Sequence, residues 1–168
     1  MLKTIVAEID IHTQLIEELF KEYLTWANAR ASDEFNVSFD INAVLKQDLK
    51  KIHQFMPPEG CLFLGEYEAN LAGCVGLREI DDETGEIKRM YVRPEYRRKG
   101  VGRRLLEALI QEARQVGYSK LKLDSAPFAK QAIVFYRQMG FRDIEPYPES
   151  EAPKEYYSQW IFMEISLK

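Results

Sequence analysis

A glycine-containing turn carries the clearest chemical signal in the sequence. It reads Arg97-Arg98-Lys99-Gly100-Val101-Gly102 and lies between a strand-like and a helix-like segment. The first N–H groups of a helix lack partners within it and, with the helix dipole, attract anions. Because Gly100 and Gly102 lack Cβ atoms, the backbone can turn sharply there and approach a phosphate closely. The pattern Arg-x-x-Gly-x-Gly, extended by the cations of Arg103 and Arg104, therefore predicts a phosphate-binding site.

Two common nucleotide-binding patterns do not match this turn. The sequence lacks Gly-x-x-x-x-Gly-Lys-Ser/Thr, and no paired aspartates for magnesium follow, which argues against a nucleoside triphosphatase or another phosphate-transfer enzyme. The dinucleotide pattern, Gly-x-Gly-x-x-Gly after an early strand, is also absent. The turn alone thus indicates an anion, and its context must indicate the ligand.

The composition is that of an ordinary globular chain, and it narrows the range of partners. With 168 residues, of which 46% are hydrophobic and 30% charged, we expect one domain over residues 1–168. A net charge of -4 and a pI near 5.4 argue against a nucleic-acid partner and mildly favour a cationic substrate such as an amine. Cys61 and Cys74 lie in apolar runs, and no cysteine or histidine cluster predicts a metal. Without a signal peptide or a membrane-length apolar run, we expect a cytoplasmic protein with no membrane partner.

Hydrophobic periodicity predicts the elements that position the turn. The clearest helix follows it and ends at Gly117, which is placed as a C-terminal cap. Its apolar stripe consists of Leu105, Leu106, Leu109, Ile110, Ala113 and Val116. Before the turn, a strand over residues 86–92 should end at Pro94, because proline lacks the backbone donor that a strand needs.

The other elements are predicted from apolar alternation and helical spacing. Further strands are expected over residues 3–9, 61–65, 71–77, 121–124 and 160–167, and further helices over 12–29, about 40–55 and 131–139. The polar segment 29–38 and the segment 143–157, rich in proline and glutamate, are predicted to be loops. We find no internal repeat and no linker between domains.

Three blocks of the sequence resemble the core motifs of the GNAT superfamily of N-acetyltransferases. They are residues 86–102, Lys122-Leu123-Asp124-Ser125 and residues 132–141, and the resemblance covers residues 60–141 well. Within the superfamily the chain is most similar to small bacterial proteins of undefined substrate. The resemblance implies an α/β (α+β) fold: a mixed, mostly antiparallel sheet flanked by about four helices, with strands four and five splayed apart. Acetyl-coenzyme A would lie in the splay as co-substrate, and no metal is implied.

The same resemblance gives roles to residues of the turn and of strand four. Residues 97–103 would hold the pyrophosphate, and backbone groups of Met90, Tyr91 and Val92 would pair with the pantetheine amides. The side chains of Met90 and Val92 equally fit plain core packing. Glu86 would remove the proton of the amine, through water, because an amine with a pKa near 10 is mostly protonated and cannot attack a carbonyl. The alternatives for Glu86 are an exposed carboxylate at the turn edge or an ion pair with Lys88.

Tyr136 matches the tyrosine with which many members protonate the departing thiolate of coenzyme A. The alternative is a core aromatic residue, and its neighbour Phe135 is expected to pack inward while Tyr136 faces the splay. Many relatives carry an asparagine seven residues earlier that contacts the pantetheine arm. Here that position is Ala129, so the contact is absent or comes from another residue such as Lys130. Because no cysteine matches a site position, we expect direct transfer in a ternary complex.

The sequence leaves the acceptor open. A small primary amine is favoured, and the alternatives are a lysine or N-terminus of a protein or peptide, or a non-catalytic sensor that only binds acetyl-coenzyme A. Residues 28–40 and 143–157 should select the acceptor. Their aromatic side chains and neighbours predict an aromatic-lined mouth, formed by Trp26, Phe35, Phe39, Tyr147, Tyr156 and Tyr157. A homodimer is compatible with this pattern.

Overall fold

A seven-stranded sheet with strand order β1-β2-β3-β4-β5-β7-β6 forms the centre of the molecule. The computed structural model describes residues 1–168. The strands are β1 (Leu2–Val6), β2 (Cys61–Tyr67), β3 (Asn70–Asp81), β4 (Thr84–Val92), β5 (Lys120–Ser125), β6 (Arg142–Asp143) and β7 (Ile161–Ser166). Only β4 and β5 are parallel, whereas all other neighbours are antiparallel. The predicted mixed, mostly antiparallel sheet is confirmed.

Helices cover both faces of this sheet because each face is apolar. They are α1 (Ile9–Phe35), α2 (Ile41–Lys50), α3 (Val101–Val116) and α4 (Lys130–Gln138). The apolar faces of α3 and α4 bury one face of the sheet, and those of α1 and α2 bury the other. Burial of this apolar surface is the main force that holds the layers together. None of the helices combines the length and the apolar character needed to span a lipid bilayer.

Helix α1 is longer than predicted, because residues 29–35 continue the helix instead of forming a loop. This stretch is polar, but it contains good helix formers. Arg30 also forms an ion pair with Glu34, one helical turn later, at 3.0 Å. Phe35 anchors the last turn by stacking on Tyr156. The helix ends at Asn36, whose left-handed backbone (φ 54°) lets the N–H of the next residue, Val37, reach the carbonyl of Ala31.

Local signals in the sequence predicted the ends of α3 and the start of α2, but not the end of α2. Asp40 caps α2, because its side chain accepts a hydrogen bond from the backbone N–H of Ala43. The helix was predicted to reach about residue 55, but after Lys50 the chain forms only a 3-10 turn, Ile52–Phe55. Helix α3 and its C-terminal cap Gly117, at φ 108°, are confirmed. The segment 143–157 is mostly irregular, as predicted, and contains the end of β6 and a short 3-10 turn.

The sheet opens between β4 and β5. Their pairing covers only Thr84–Glu86 against Lys120–Lys122, so the rest of β4 has no strand neighbour on that side. A β-bulge bends β4 at this point: Lys88 pairs with Gly76 and Tyr91 with Cys74, which leaves two residues of β4 opposite one of β3. Arg89 in the bulge has a left-handed backbone (φ 54°). The implied splay of strands four and five is therefore confirmed.

Candidate active site

The turn before α3 presents a row of free backbone donors. Arg98 and Gly100 both have left-handed backbones, with φ of 61° and 85°. No N–H group of residues 98–103 donates to a protein acceptor, and the first helical bond runs from the N–H of Arg104 to the carbonyl of Gly100, at 3.0 Å. Such a concave run of N–H groups at a helix start favours an anion. The backbone of this turn therefore has the free N–H groups that the predicted phosphate site requires.

The basic side chains of the turn are less free than its backbone. The Arg97 Nε donates to the carbonyl of Val92 at 2.9 Å, and Arg103 pairs with Glu107. The Lys99 ammonium lies over the ring of Tyr67, 4.9 Å from its centroid. These contacts leave the N–H groups, and not the cations, as the oriented part of the site.

Gly102 connects the turn with the splay. A Cβ built there would lie 3.3 Å from the Cε of Met90, 3.6 Å from a methyl of Val92 and 3.9 Å from the ring of Phe135. The first turn of α3 therefore faces the unpaired part of β4 and the helix that carries Tyr136. This places the predicted phosphate-binding turn beside the predicted pantetheine strand.

Replacing Gly102 with Glu should weaken acetyl-coenzyme A binding at least about tenfold, or about 1.4 kcal/mol. The new side chain adds bulk and a negative charge where the phosphates would lie. Calorimetric titration of acetyl-coenzyme A measures the loss. Gln111→Glu is the matched control, because it adds the same charge to an exposed position of α3 away from the turn. Equal affinity in the Gly102→Glu and wild-type proteins would remove the turn from the site.

Strand β4 directs its predicted cofactor residues to two sides. Tyr91 is buried towards α1, where its ring lies 6.3 Å from that of Tyr23. Met90 and Val92 are half-buried and pack against the core under α3, as the packing interpretation predicted. Their backbone lies on the part of β4 that no strand covers, so packing and cofactor binding are compatible here.

Glu86 is fully buried, with 0% of its surface exposed. One carboxylate oxygen accepts from the Arg78 Nε at 2.6 Å, and the other accepts from the Tyr147 hydroxyl at 2.7 Å. The expected alternatives of an exposed carboxylate or a pair with Lys88 are wrong, since Lys88 binds Glu151 instead. Because the carboxylate is fully buried, an acceptor amine cannot contact it directly.

Tyr136 lies in the core with 6% of its surface exposed, and its hydroxyl makes no hydrogen bond within the protein. Burial is the main reason that the pKa of Tyr136 is raised, and the nearby Tyr23 and Asp124 add to the effect. The hydroxyl therefore stays protonated at neutral and alkaline pH. Phe135 was expected to be the more buried of the pair, but it is only half-buried and faces Gly102.

Ala129 occupies the N-cap of α4 and provides no side-chain cap. An asparagine at this position is a common cap, so the departure from the family pattern also leaves the helix start uncapped. Lys130, the suggested substitute, is exposed and lines a concavity of about 290 Å³. A second concavity, of about 530 Å³, contains Glu59, Glu79 and Glu112 and shares no residue with the site.

The predicted aromatic mouth is only partly assembled. Phe35 stacks on Tyr156 at 4.9 Å, and Trp26 meets Phe128 edge to face at 5.5 Å. Tyr147 and Tyr157 instead pack on Phe162, and Phe39 packs with the core under α1 and α2. The end of α1 thus contacts the loop after β6 through aromatic rings.

Several residues of the site have no sequence signal of their own. Arg78 and Tyr147 contact Glu86 from distant parts of the chain, and Ser150 donates to Asp124 at 2.8 Å. Only Asp124 could have been noticed, because it shares the polar face of β5 with Lys122. No group of three or more histidine, cysteine or acidic side chains is arranged to hold a metal ion.

Comparison with known proteins identifies the family. The model of the acetyltransferase (GNAT) family matches residues 14–141. An IAA acetyltransferase of Azospirillum brasilense is 33% identical over 140 residues, which cover 82% of this chain and 81% of that protein. Among solved structures, a GNAT family acetyltransferase of Staphylococcus aureus covers both chains completely with a TM-score of 0.76 at 23% identity. A GNAT family acetyltransferase of Elizabethkingia anophelis, with acetyl-CoA bound, has a TM-score of 0.54 and 26% identity over 70% of this chain and 82% of that one.

The chain belongs to the acetyltransferase (GNAT) family, because the family model covers most of its length. The protein is therefore an acetyltransferase that depends on acetyl-coenzyme A.

Proposed function

We propose that this enzyme transfers an acetyl group from acetyl-coenzyme A to the nitrogen of a small primary amine, by direct attack in a ternary complex. The observation that carries the proposal is the continuity of three features. Free N–H groups of residues 98–103 adjoin the unpaired part of β4, and α4, the helix that carries the unbonded hydroxyl of Tyr136, packs beside both. This order fits a ligand with a pyrophosphate at one end and a thioester at the other.

The backbone would bind most of the cofactor. Residues 98–103 offer donors to the pyrophosphate, and Met90 to Val92 offer a strand edge to the pantetheine amides. Arg97 and Arg103 would add charge after leaving their present partners, whereas Lys99 is held on tyrosine rings. A β4 N–H directed at the thioester carbonyl would stabilise the oxyanion of the tetrahedral intermediate.

We assign the proton transfers to Glu86 and Tyr136. The ammonium loses one proton to the Tyr147 oxygen, while the Tyr147 hydroxyl proton passes to Glu86. The neutral nitrogen then forms the C–N bond, and the C–S bond breaks. Tyr136 gives its proton to the departing sulfur and regains one from the new amide nitrogen. Glu86 returns its proton to solvent by the reverse relay through Tyr147 before the next turnover. Burial, first, and the charge of Glu86 raise the pKa of Tyr147, which favours a concerted relay over a free tyrosinate.

The aromatic contacts favour a small acceptor. Phe35 at the end of α1 reaches Tyr156 and Trp160 of the loop before β7, with ring centroids at 4.9 and 6.3 Å. A groove that stays open for a protein chain would leave these elements apart. Acetylation of a protein lysine or N-terminus is the second candidate, and a sensor without turnover is the third.

An acceptor screen tests the proposed function. Wild-type protein is mixed with acetyl-coenzyme A and single amines, and release of the free thiol is followed. We expect turnover with at least one small primary amine and little with lysine peptides. The Gly102→Glu variant is the control for release that does not depend on the cofactor site. Acetyl-coenzyme A that binds without turnover of any amine or peptide would favour a sensor and contradict the proposal.

A further inference from the structure

We propose that Asp124 binds the ammonium group of the acceptor, and that the acceptor is a monoamine with an apolar body. This inference rests on the proposed function and adds a binding residue and a substrate class to it. Asp124 lies on β5 just past the last residue pair with β4, Glu86 with Lys122. It is therefore inside the splay, on the strand opposite the predicted pantetheine edge.

The carboxylate of Asp124 has an unused binding capacity. It is only half-buried, and its one protein hydrogen bond comes from a neutral group, the Ser150 hydroxyl, at 2.8 Å to one of the two oxygens. The nearest cation on the same face of β5, Lys122, lies over the ring of Tyr147, 5.3 Å from its centroid, and forms no ion pair. One oxygen of Asp124 thus remains for a ligand. A carboxylate held by a neutral hydroxyl keeps its full charge for a cation.

The neighbouring carboxylates are already neutralised. Asp48 binds the guanidinium of Arg89 with both oxygens, at 2.7 and 2.8 Å. Glu86 is paired with Arg78. Asp124 is consequently the only one of these three carboxylates without a cationic partner. A ligand with one positive charge completes the site, whereas a second charge on a diamine would find no free partner among them.

An unbonded hydroxyl supports a ligand at the same place. Tyr136 is more than nine-tenths buried, yet its hydroxyl has no partner in the protein. The hydroxyl is not sealed from solvent, because Thr84 Oγ1 is the only buried side-chain polar atom without a partner, so a ligand that enters the splay can reach it. After burial, the negative charge of Asp124 contributes to the raised pKa of both Tyr136 and Tyr23. In this proposal the ammonium bound at Asp124 lies within reach of the proposed acid.

The surroundings of Asp124 determine the body of the acceptor. Tyr23 is followed by Trp26, with ring centroids 6.2 Å apart, and Trp26 by Phe128 at 5.5 Å. Tyr23 and Trp26 are half-buried and Phe128 is buried. Their rings form a largely apolar wall, although the guanidinium of Arg89 lies over the Tyr23 ring at 5.6 Å. Apolar surface of the ligand gains free energy against such a wall, whereas a charged or carboxylate-bearing body would lose hydration there.

Equilibrium binding of phenethylamine tests the inference separately from turnover. The enzyme is saturated with coenzyme A, and calorimetry measures the affinity for phenethylamine and for 2-phenylethanol, its uncharged analogue. Wild type should bind the amine at least about tenfold more tightly than the alcohol. Asp124→Asn should lower the affinity for the amine about 10- to 100-fold, since hydrogen bonds to charged groups have this strength. Its affinity for the alcohol should stay within about threefold of wild type. Ser150→Ala, which keeps the charge, should weaken the amine only severalfold.

The outcomes distinguish this inference from the proposed function. An Asp124→Asn protein that binds phenethylamine like wild type would overturn the role of Asp124. Equal losses for the amine and the alcohol would also overturn it, because they would indicate a change of shape. If putrescine bound better than phenethylamine, the monoamine class would be wrong. Amine binding that depends on Asp124 without any thiol release would instead uphold the site and contradict the transferase proposal. If Asp124→Asn does not fold, the test is whether wild type binds the amine more tightly than the alcohol.

Discussion

Tyr136→Phe should lower turnover roughly 10–10³-fold while acetyl-coenzyme A affinity stays within about threefold. Phe keeps the packing of the ring against Phe135 and Phe141, so the cofactor should still bind. What is lost is the proton donor for the departing sulfur. A thiol with a pKa of about 8.5 leaves tolerably without help, which limits the size of the loss. Single-turnover thiol release and calorimetry measure the two quantities.

Stability separates a catalytic Tyr136 from a structural one. Because its hydroxyl has no protein partner, removing it should leave the melting temperature unchanged or slightly raised. Tyr118→Phe is the matched control: that hydroxyl donates to the carbonyl of Glu59 at 2.7 Å, in a contact that shares no residue with the proposed site. The control should melt slightly earlier and turn over normally. Normal turnover of Tyr136→Phe would make Tyr136 a packing residue, and collapsed cofactor binding would make its hydroxyl an anchor.

Burial of Tyr136 should also affect how turnover depends on pH. The raised pKa of Tyr136 lies above the value of about 10 for a free tyrosine. Its hydroxyl remains protonated until the pH passes that raised value, so wild type should lose no turnover through tyrosine ionisation up to about pH 10. A decline centred below the ordinary tyrosine pKa would show that the acid is a different group.

Features encoded by neighbouring residues could be predicted from the sequence. The periodicity of α3 and its glycine cap depend on local backbone chemistry, and so do the free N–H groups of the turn before it. The structure places all three where the pattern does. The splay of β4 and β5 was predicted from the resemblance to the GNAT superfamily and not from hydrophobic periodicity. The end of α1 was missed because its polar residues resemble a loop. The contact of Phe35 with Tyr156, more than a hundred residues later in the chain, gives no signal in the local sequence.

The candidate site was predictable only where one residue suffices. Glu86 and Tyr136 could be named from their positions in matched motifs, yet their environments depend on residues far away. The buried pair of Glu86 with Arg78 requires the β3–β4 register, in which the two residues are opposite each other. The hydrogen bond from Tyr147 requires the fold of an irregular loop, for which no periodic pattern exists. The free carboxylate of Asp124 can be recognised only in the folded structure, in which Asp48 and Glu86 are paired with Arg89 and Arg78.

Glu86→Gln should lower the rate at neutral pH by about 10²-fold or more, and the loss should shrink at high pH. If Glu86 receives the amine proton, glutamine cannot replace it, but an amine that is already neutral needs no base. The rate with a fixed amine is measured from neutral pH to above the pKa of the amine. The same substitution removes the counter-ion of the mostly buried Arg78, so a lower melting temperature is expected as well.

Tyr147→Phe decides whether the loss comes from the base or from the broken ion pair. This variant interrupts the proposed relay and keeps the pair of Glu86 with Arg78, whose atoms are 2.6 Å apart. If protons pass through Tyr147, it should show the same pH-dependent loss as Glu86→Gln, and the double variant should be little worse than either alone. A base and its relay act as one unit, so their losses do not add. If Glu86 only supports the structure, Glu86→Gln would keep the wild-type pH profile and melt earlier, and Tyr147→Phe would turn over normally.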